Sequence, residues 1–244
     1  NNIIYMNLVS VIIPYFKKKK FIVETVNSVI SQSYSNLEII IIYDDKSHDD
    51  LEYILKLKDL DARINIVINS KNLGAGESRN IGIIKSNGKY IAFLDADDIW
   101  NSKKIEHQIN YMKENNLSCS HTSYNIINED KITSGYRAAR IFNNFEDLLR
   151  SCDIGLSTVM IKKNVFSEYC KFPKLKTKED FVLWLKILKT KHIFGALEEN
   201  LCSWRNSRNS LSSPTYQKLL DGFKVYYIYM NYNFVKSLYL LVCL

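Results

Sequence analysis

Paired cysteines, long apolar runs and clustered histidines are all missing from this chain of 244 residues. Its five cysteines (Cys119, Cys152, Cys170, Cys202 and Cys243) are scattered, odd in number and without a C-x-x-C spacing. That excludes a disulfide framework and a structural zinc site, and it fits a reducing cytosol. The four histidines show no metal spacing. No run approaches the ~20 apolar residues of a membrane span, and no secretory signal is visible at the start. "MNLVSVIIP" from Met6 reads as a natural beginning, with residues 1–5 as an extension. There is no internal repeat or low-complexity linker, which favours one domain.

What is present is ordinary globular composition, 46% hydrophobic and 24% charged. The net charge of +7 is uneven: residues 1–100 hold 12 Lys+Arg against 13 Asp+Glu, and residues 101–244 hold 21 against 13. An excess of this kind suits an anionic partner, although a solvated lysine-rich surface accounts for any one of these side chains equally well. "KKKK" at 17–20 reads as a solvated loop near a phosphate or headgroup. No basic-aromatic constellation supports nucleic-acid binding.

Up to residue 100 the pattern alternates strand and helix. Continuous apolar runs at 8–14, 37–43, 64–69 and 90–94 read as buried strands. Between them, 21–32, 51–60 and 74–88 read as helices, the last ending on Gly88 as its C-cap. Beyond residue 100, 102–115 and 178–190 read as helices, 117–127 and 156–161 as strands, and 128–144 as a loop. Such alternation predicts a mostly parallel α/β sheet flanked by helices. Its right-handed crossovers bring the strands' carboxyl ends to one edge, where a ligand crevice forms. The charged turns "DDKS" and "DADD" both follow strands directly and are expected in that crevice.

Asp95, Asp97 and Asp98 crowd three carboxylates after the apolar run "YIAFL". Carboxylates one residue apart can hold a hard divalent cation, since Mg²⁺ or Mn²⁺ prefers oxygen ligands shared with substrate phosphates. The competing reading makes Asp97 and Asp98 the cap of a following helix. "GAGESRN" lacks the Walker lysine and the G-x-G-x-x-G order, which leaves little for nucleotide hydrolysis.

The ordered block "VSVIIPYF … SVISQSYSNLEIIIIYDDKS … NLGAGESRNIGIIKSNGKYIAFLDADDIW", continued by "KEDFVLWLKIL" and "WRNSRNSLS", resembles glycosyltransferase family two, the inverting enzymes of the GT-A fold. The resemblance implies a metal-dependent enzyme that moves a hexose from a nucleotide sugar, a UDP-sugar above others, to a glycan or polyprenyl-diphosphate-linked acceptor in bacterial surface polysaccharide assembly. It implies that Pro14 and Tyr15 border the base and that Asp44 accepts a hydrogen bond from it. Asn72 and Arg79 would line the nucleotide pocket. Asp95 would hold the ribose or the metal's water shell, and Asp97 would ligate Mn²⁺ or Mg²⁺. Asp98 would stand behind them or face the acceptor. In "EDFVLW", Asp180 would be the base and Glu179 would shape the acceptor site; the alternative is two acids stabilising a helix dipole. Arg205 would contact the diphosphate. Ser207 stands where many members carry a metal-binding histidine, and that departure leaves Asp97 as the principal ligand. A nucleotidyltransferase and a catalytically silent nucleotide-sugar-binding protein remain the alternatives.

The expected organisation is a GT-A domain over 1–214, its nucleotide-binding part about 6–100 and its acceptor-binding part about 101–214, with a helical tail over 215–244. In "FKVYYIYMNYNFVKSLYLLVCL" the tyrosines and lysines suit either an interfacial membrane helix or closure of the core. The resemblance tips this toward membrane contact, with the protein cytoplasmic and peripheral on the inner face of the cytoplasmic membrane.

Overall fold

β-Branched runs bounded by polar turns form the strands that their pattern predicts. In the computed structural model, which describes residues 7–142, 144–151, 153–206 and 215–244, they open the chain as β1 (Val9–Tyr15), α1 (Lys19–Ile30), β2 (Leu37–Tyr43), α2 (Leu51–Leu55), β3 (Ile64–Ile68), α3 (Ala75–Lys85) and β4 (Tyr90–Phe93). Met6, Cys152 and Ser207 lie outside the described residues. β1 pairs in parallel with both β2 and β4, and β2 with β3. Side chains alternate across a strand. Ile12, Ile40, Ile42, Ile91 and Phe93 therefore enter one core, and Val11, Ile13, Ile39, Ile41 and Ala92 enter the other. Burial on both faces is what makes these strands continuously apolar.

The second half of the sheet is mixed. It contains β5 (Ile99–Trp100), α4 (Lys104–Glu114), β6 (Cys119–Ile127), β7 (Thr133–Arg137), α5 (Phe145–Leu149), β8 (Met160–Lys162), α6 (Glu179–Lys189) and β9 (Phe194–Arg205). Among the described residues the order is β3-β2-β1-β4-β8-β6-β9-β5, with β7 on β6. β8 is antiparallel to β4 and β6, β6 is parallel to β9, and β5 is antiparallel to β9. α1, α2 and α4 cover one face. α3 and α6 contribute to the other core, as do Val225 and Tyr226 in the π-helical turn that follows α7 (Thr215–Lys224), and α8 (Phe234–Cys243).

Several expectations change. Residues 128–144 are not simply a loop, because Thr133–Arg137 doubles back on β6 as β7. The 156–161 run is a 3₁₀ turn (Leu156–Thr158) followed by the short β8. The 51–60 helix changes to 3₁₀ geometry after Leu55. Gly88 is not a helix cap: α3 stops at Lys85 with Ser86 extended. A Cβ at Gly88 would sit 2.5 Å from Ser10 Oγ and 2.8 Å from Leu8 O, so glycine is needed there for close passage beside β1. Asp97 and Asp98 do not cap a helix either, since the two-residue strand β5 follows them.

Candidate active site

Two cavities open at the carboxyl edge of the parallel strands and share Pro14, Phe16 and Ala75 as walls. The larger, about 1210 Å³, lies between the β1 and β2 ends, the loop before α3 and the segment 174–176. Lys17, Lys46, Lys174 and Lys176 line it with Asp44, Asp45 and Glu77. The smaller, about 280 Å³, is lined by Lys18, Arg79, Asp95, Asp97, Trp204 and Arg205 among others. A trough with four lysines leading into a chamber where two carboxylates sit among three cations suits an anionic ligand.

The turn after β2 divides the work between adjacent aspartates. Asp44 accepts from Asn69 Nδ2 (2.7 Å), Leu73 N (2.8 Å) and Gly74 N (2.8 Å), so its carboxylate is spent on holding the loop that starts α3. Gly74 takes φ +84° there, a conformation that favours glycine. Asn72 donates to Asp44 O (2.9 Å) and stands two residues ahead of the cap, so it does not begin the helix. Asp45 accepts from Ser47 N (3.1 Å), and its Oδ2 is buried without a partner beside the cleft. Asp45 Oδ2 is thus the carboxylate oxygen of this turn left without a hydrogen-bond partner among the described residues. Tyr15 lies at the cleft but is fully buried: its ring stacks on Tyr43 at 5.5 Å and its hydroxyl donates to Asp50 Oδ2 at 2.6 Å. Tyr15 lines the larger cavity, and the half-buried Phe16 lines both.

The acidic turn after β4 is organised by three cations. Arg79, on α3, is buried and donates to Asp95 Oδ1 (2.8 Å) and to Glu179 Oε1 (2.7 Å). Burial works against its charge, but Asp95 and Glu179 outweigh that and hold the guanidinium above its ordinary pKa. One side chain thereby joins the acidic turn to the first turn of α6, 100 residues away in sequence for Glu179. Lys18, from the lysine run after β1, donates to Asp97 Oδ2 at 2.5 Å. Burial raises the Asp97 pKa, and Lys18 opposes the rise. Asp98 is 1% exposed; its Oδ2 accepts from Ser157 Oγ (2.5 Å) and its Oδ1 from Arg205 N (2.8 Å). Burial, then Asp95 and Asp97, push it well above the usual carboxylate range. Asp98 is therefore a bracket behind the turn and does not face an acceptor.

Arg205 was expected to grip a diphosphate. Its donors go instead to Asp97 O (2.7 Å), Glu129 O (3.0 Å) and Glu24 Oε2 (2.7 Å), and its guanidinium lies 4.6 Å from the Phe21 ring centroid. In this arrangement it fixes the acidic turn while also lining the smaller cavity. Glu179 and Asp180 open α6 after Lys178, whose φ is +64°. Asp180 is half-buried, with Oδ1 accepting from Phe181 N (2.7 Å). Burial and the neighbouring Glu179 push its pKa up to about 6, against the pull of Arg79. A carboxylate in that range is ionised near neutrality and still basic enough to take a proton.

Lys18, Asp45, Ser157 and Trp204 were not singled out from sequence. The lysine run and the doubled aspartate marked the right turns, but which member faces the cavity depends on the chain path. Ser157 and Trp204 carried no motif.

The chain has known relatives in both sequence and fold. A sequence model of the family described as glycosyl transferase family 2 matches residues 10–169. WfgD of Escherichia coli, named a UDP-Glc:alpha-D-GlcNAc-diphosphoundecaprenol beta-1,3-glucosyltransferase, is 35% identical over 213 residues, covering 87% of this chain and 82% of that protein. The crystal structure of S. aureus TarS residues 1–349 in complex with UDP-GlcNAc is similar with a TM-score of 0.73 at 16% identity, covering 97% of this chain and 70% of that one. The mannosyltransferase PcManGT from Pyrobaculum calidifontis, in complex with GDP-Man and Mn²⁺, is similar with a TM-score of 0.70 at 12% identity, covering 92% and 64%. At these identities the two structures speak to the fold, which is that of the GT-A glycosyltransferases.

Proposed function

The chain belongs to glycosyl transferase family 2, and from that premise we propose an inverting transfer of a hexose from a UDP-sugar to a hydroxyl of a lipid-linked saccharide in surface polysaccharide assembly. The observation that supports this reading is the Arg79 bridge between Asp95 and Glu179, which ties the acidic turn after β4 to the first turn of α6, where Asp180 follows Glu179. The named activity of WfgD supports UDP-glucose as donor and a GlcNAc-diphospholipid as acceptor. Family membership leaves no support for a nucleotidyltransferase.

In this reading the nucleotide lies in the larger cleft, with Asp45 Oδ2 accepting from the base edge beside Pro14 and Phe16. Asn72 and the lysines of that cleft face the ribose and phosphates. Asp180 takes the proton of the acceptor hydroxyl as its oxygen attacks the anomeric carbon. The bond to the diphosphate breaks with its electron pair on the leaving oxygen, and the configuration inverts. Glu179, anchored by Arg79, sets the direction from which the acceptor approaches.

Asp97 and Asp95 are the residues that would hold Mn²⁺ or Mg²⁺. Two carboxylates in the lining of the smaller cavity fit a hard ion shared with substrate phosphates, and among the described residues they do not form a closed protein cage. Such an ion supplies charge neutralisation for the departing diphosphate. Asp98, buried and with each oxygen accepting a bond from Ser157 or Arg205 N, is outside that donor set.

The test is transfer from UDP-glucose to a GlcNAc-diphospholipid, read as product and as released UDP. Asp180→Asn should lower turnover by about 10²–10⁴-fold, the range of a lost general base, and leave UDP affinity unchanged. Wild-type turnover in that variant would remove Asp180 as the base.

A further inference from the structure

The C-terminal helices have one face that the fold uses and one that it leaves open. Val225, Tyr226, Met230 and Leu240 are at most 3% exposed, and Tyr226 Oη donates to Leu149 O at 2.8 Å. On the other side Tyr216, Leu219, Ile228, Phe234, Val235 and Val242 are 52–82% exposed. Phe223 ties α7 to the start of α8, stacking on Tyr227 at 5.3 Å and meeting Phe234 edge-on at 5.5 Å. Among the described residues, ten of the twenty exposed large hydrophobic side chains fall within residues 215–244. Single exposed apolar residues are normal in a soluble protein, but this density marks an interface.

Charge indicates what the interface meets. Residues 215–244 carry Lys218, Lys224 and Lys236 and one acid, Asp221. Asp221 is 1% exposed and accepts from Thr177, Gln217 and Lys224. Beside α8, the Arg150 guanidinium lies 5.9 Å from the Tyr239 ring centroid. The exposed charges of the two helices are thus positive, and a second copy seated face to face would oppose cation to cation. A surface combining aromatic, aliphatic and lysine side chains matches the headgroup region of an anionic bilayer. No helix among the described residues is long and apolar enough to cross one.

We propose that α7 and α8 seat the protein on an anionic phospholipid surface by burying this open face at the headgroup boundary. The inference rests on the lipid-linked acceptor of the reading above, and it adds a route by which docking reaches the chemistry. Asp221 accepts from Thr177 N and Oγ1, both at 3.1 Å, and Thr177 lies three residues before Asp180. The docking helices are therefore tied directly to the segment that presents the proposed base.

The test is sedimentation of the full chain with vesicles of phosphatidylglycerol and phosphatidylcholine, and with phosphatidylcholine alone, beside UDP binding measured in solution. Wild-type protein should partition onto the anionic vesicles at least about tenfold more strongly. A Leu219→Ser, Val235→Ser, Val242→Ser triple variant should lose about tenfold or more of that partition while keeping its UDP affinity, because these side chains are mostly exposed and outside the core. Lys218→Glu with Lys236→Glu should lose the preference for anionic lipid and provides a second test should the triple variant fold poorly. Equal recovery in the supernatant with and without vesicles overturns the inference, as does a dimer that the triple variant dissolves without any vesicle binding. Transfer to the lipid-linked acceptor by a vesicle-blind protein would sink the docking and spare the enzymatic reading. Vesicle binding by a protein that ignores UDP would do the reverse.

Discussion

Replacing Arg79 by methionine removes the one cation among the described residues that touches both Asp95 and Glu179 and leaves a hydrophobe of similar length against Phe172. The guanidinium side chain is 4% exposed, Glu179 is 12% exposed and Asp95 is 34% exposed. Stripping one partner from a buried ion pair costs about 3–5 kcal/mol because the other charge stays behind. Asp95 retains enough water to soften its share, so the lower end, about 3 kcal/mol, is expected. For a chain of this size that corresponds to a fall in Tm of roughly 6–12 °C, measurable by thermal and urea denaturation at pH 7.5. The Arg79→Met, Glu179→Gln double variant should recover at least about 1 kcal/mol, since it also removes the stranded charge. A second readout follows from sign: Arg79 holds the Asp180 pKa down, so its loss must move the acid limb of the rate profile to higher pH. Stability within about 1 kcal/mol of wild type, with an unmoved acid limb, would refute the bridge as the organiser of this site.

The Asp180 pKa of about 6 predicts that kcat/KM falls tenfold per pH unit below about pH 6, and that Glu179→Gln shifts this limb downward by removing a neighbouring negative charge. The folded chain binds that proton more tightly than the unfolded chain. This carboxyl therefore weakens folding progressively from about pH 4 to pH 6, and its cost stays constant above that. A pH–rate profile without an acid limb near 6 would contradict the assignment. Lys18 sits on the carboxylate that would hold the divalent ion. Lys18→Met should raise donor-free Mn²⁺ affinity, read by paramagnetic resonance titration, by about tenfold on the scale of one charge-assisted hydrogen bond. Unchanged Mn²⁺ affinity would show that Asp97 is not the ligand.

Much of the scaffold was legible from local pattern. The runs "VSVIIP" and "LEIIIIY" could only be strands buried on both faces, and helical periodicity between them called for parallel crossovers. Those two facts send the ends of β2 and β4 to one edge, which is why "DDKS" and "DADD" line adjoining cavities. The later half was less readable, because β5 and β8 are too short to carry a period and β9 is interrupted by "LEEN", where the pairing register shifts. Gly88 was misread for a similar reason: a glycine after a helix signals a cap, and the approach of Ser10 that requires it comes from a distant strand.

By itself, then, the amino-acid order determined the doubly covered parallel sheet, the edge where ligands meet it and the carboxylates available there. Tertiary structure alone decided that Asp45 rather than Asp44 keeps a free acceptor, that Lys18 leaves solvent to sit on Asp97, and that Arg79 joins Asp95 to Glu179. The division has a physical cause. Strand and helix propensity and burial are written in residues a few positions apart, whereas a side chain's partner is chosen by packing between segments that the chain brings together from tens to a hundred residues away.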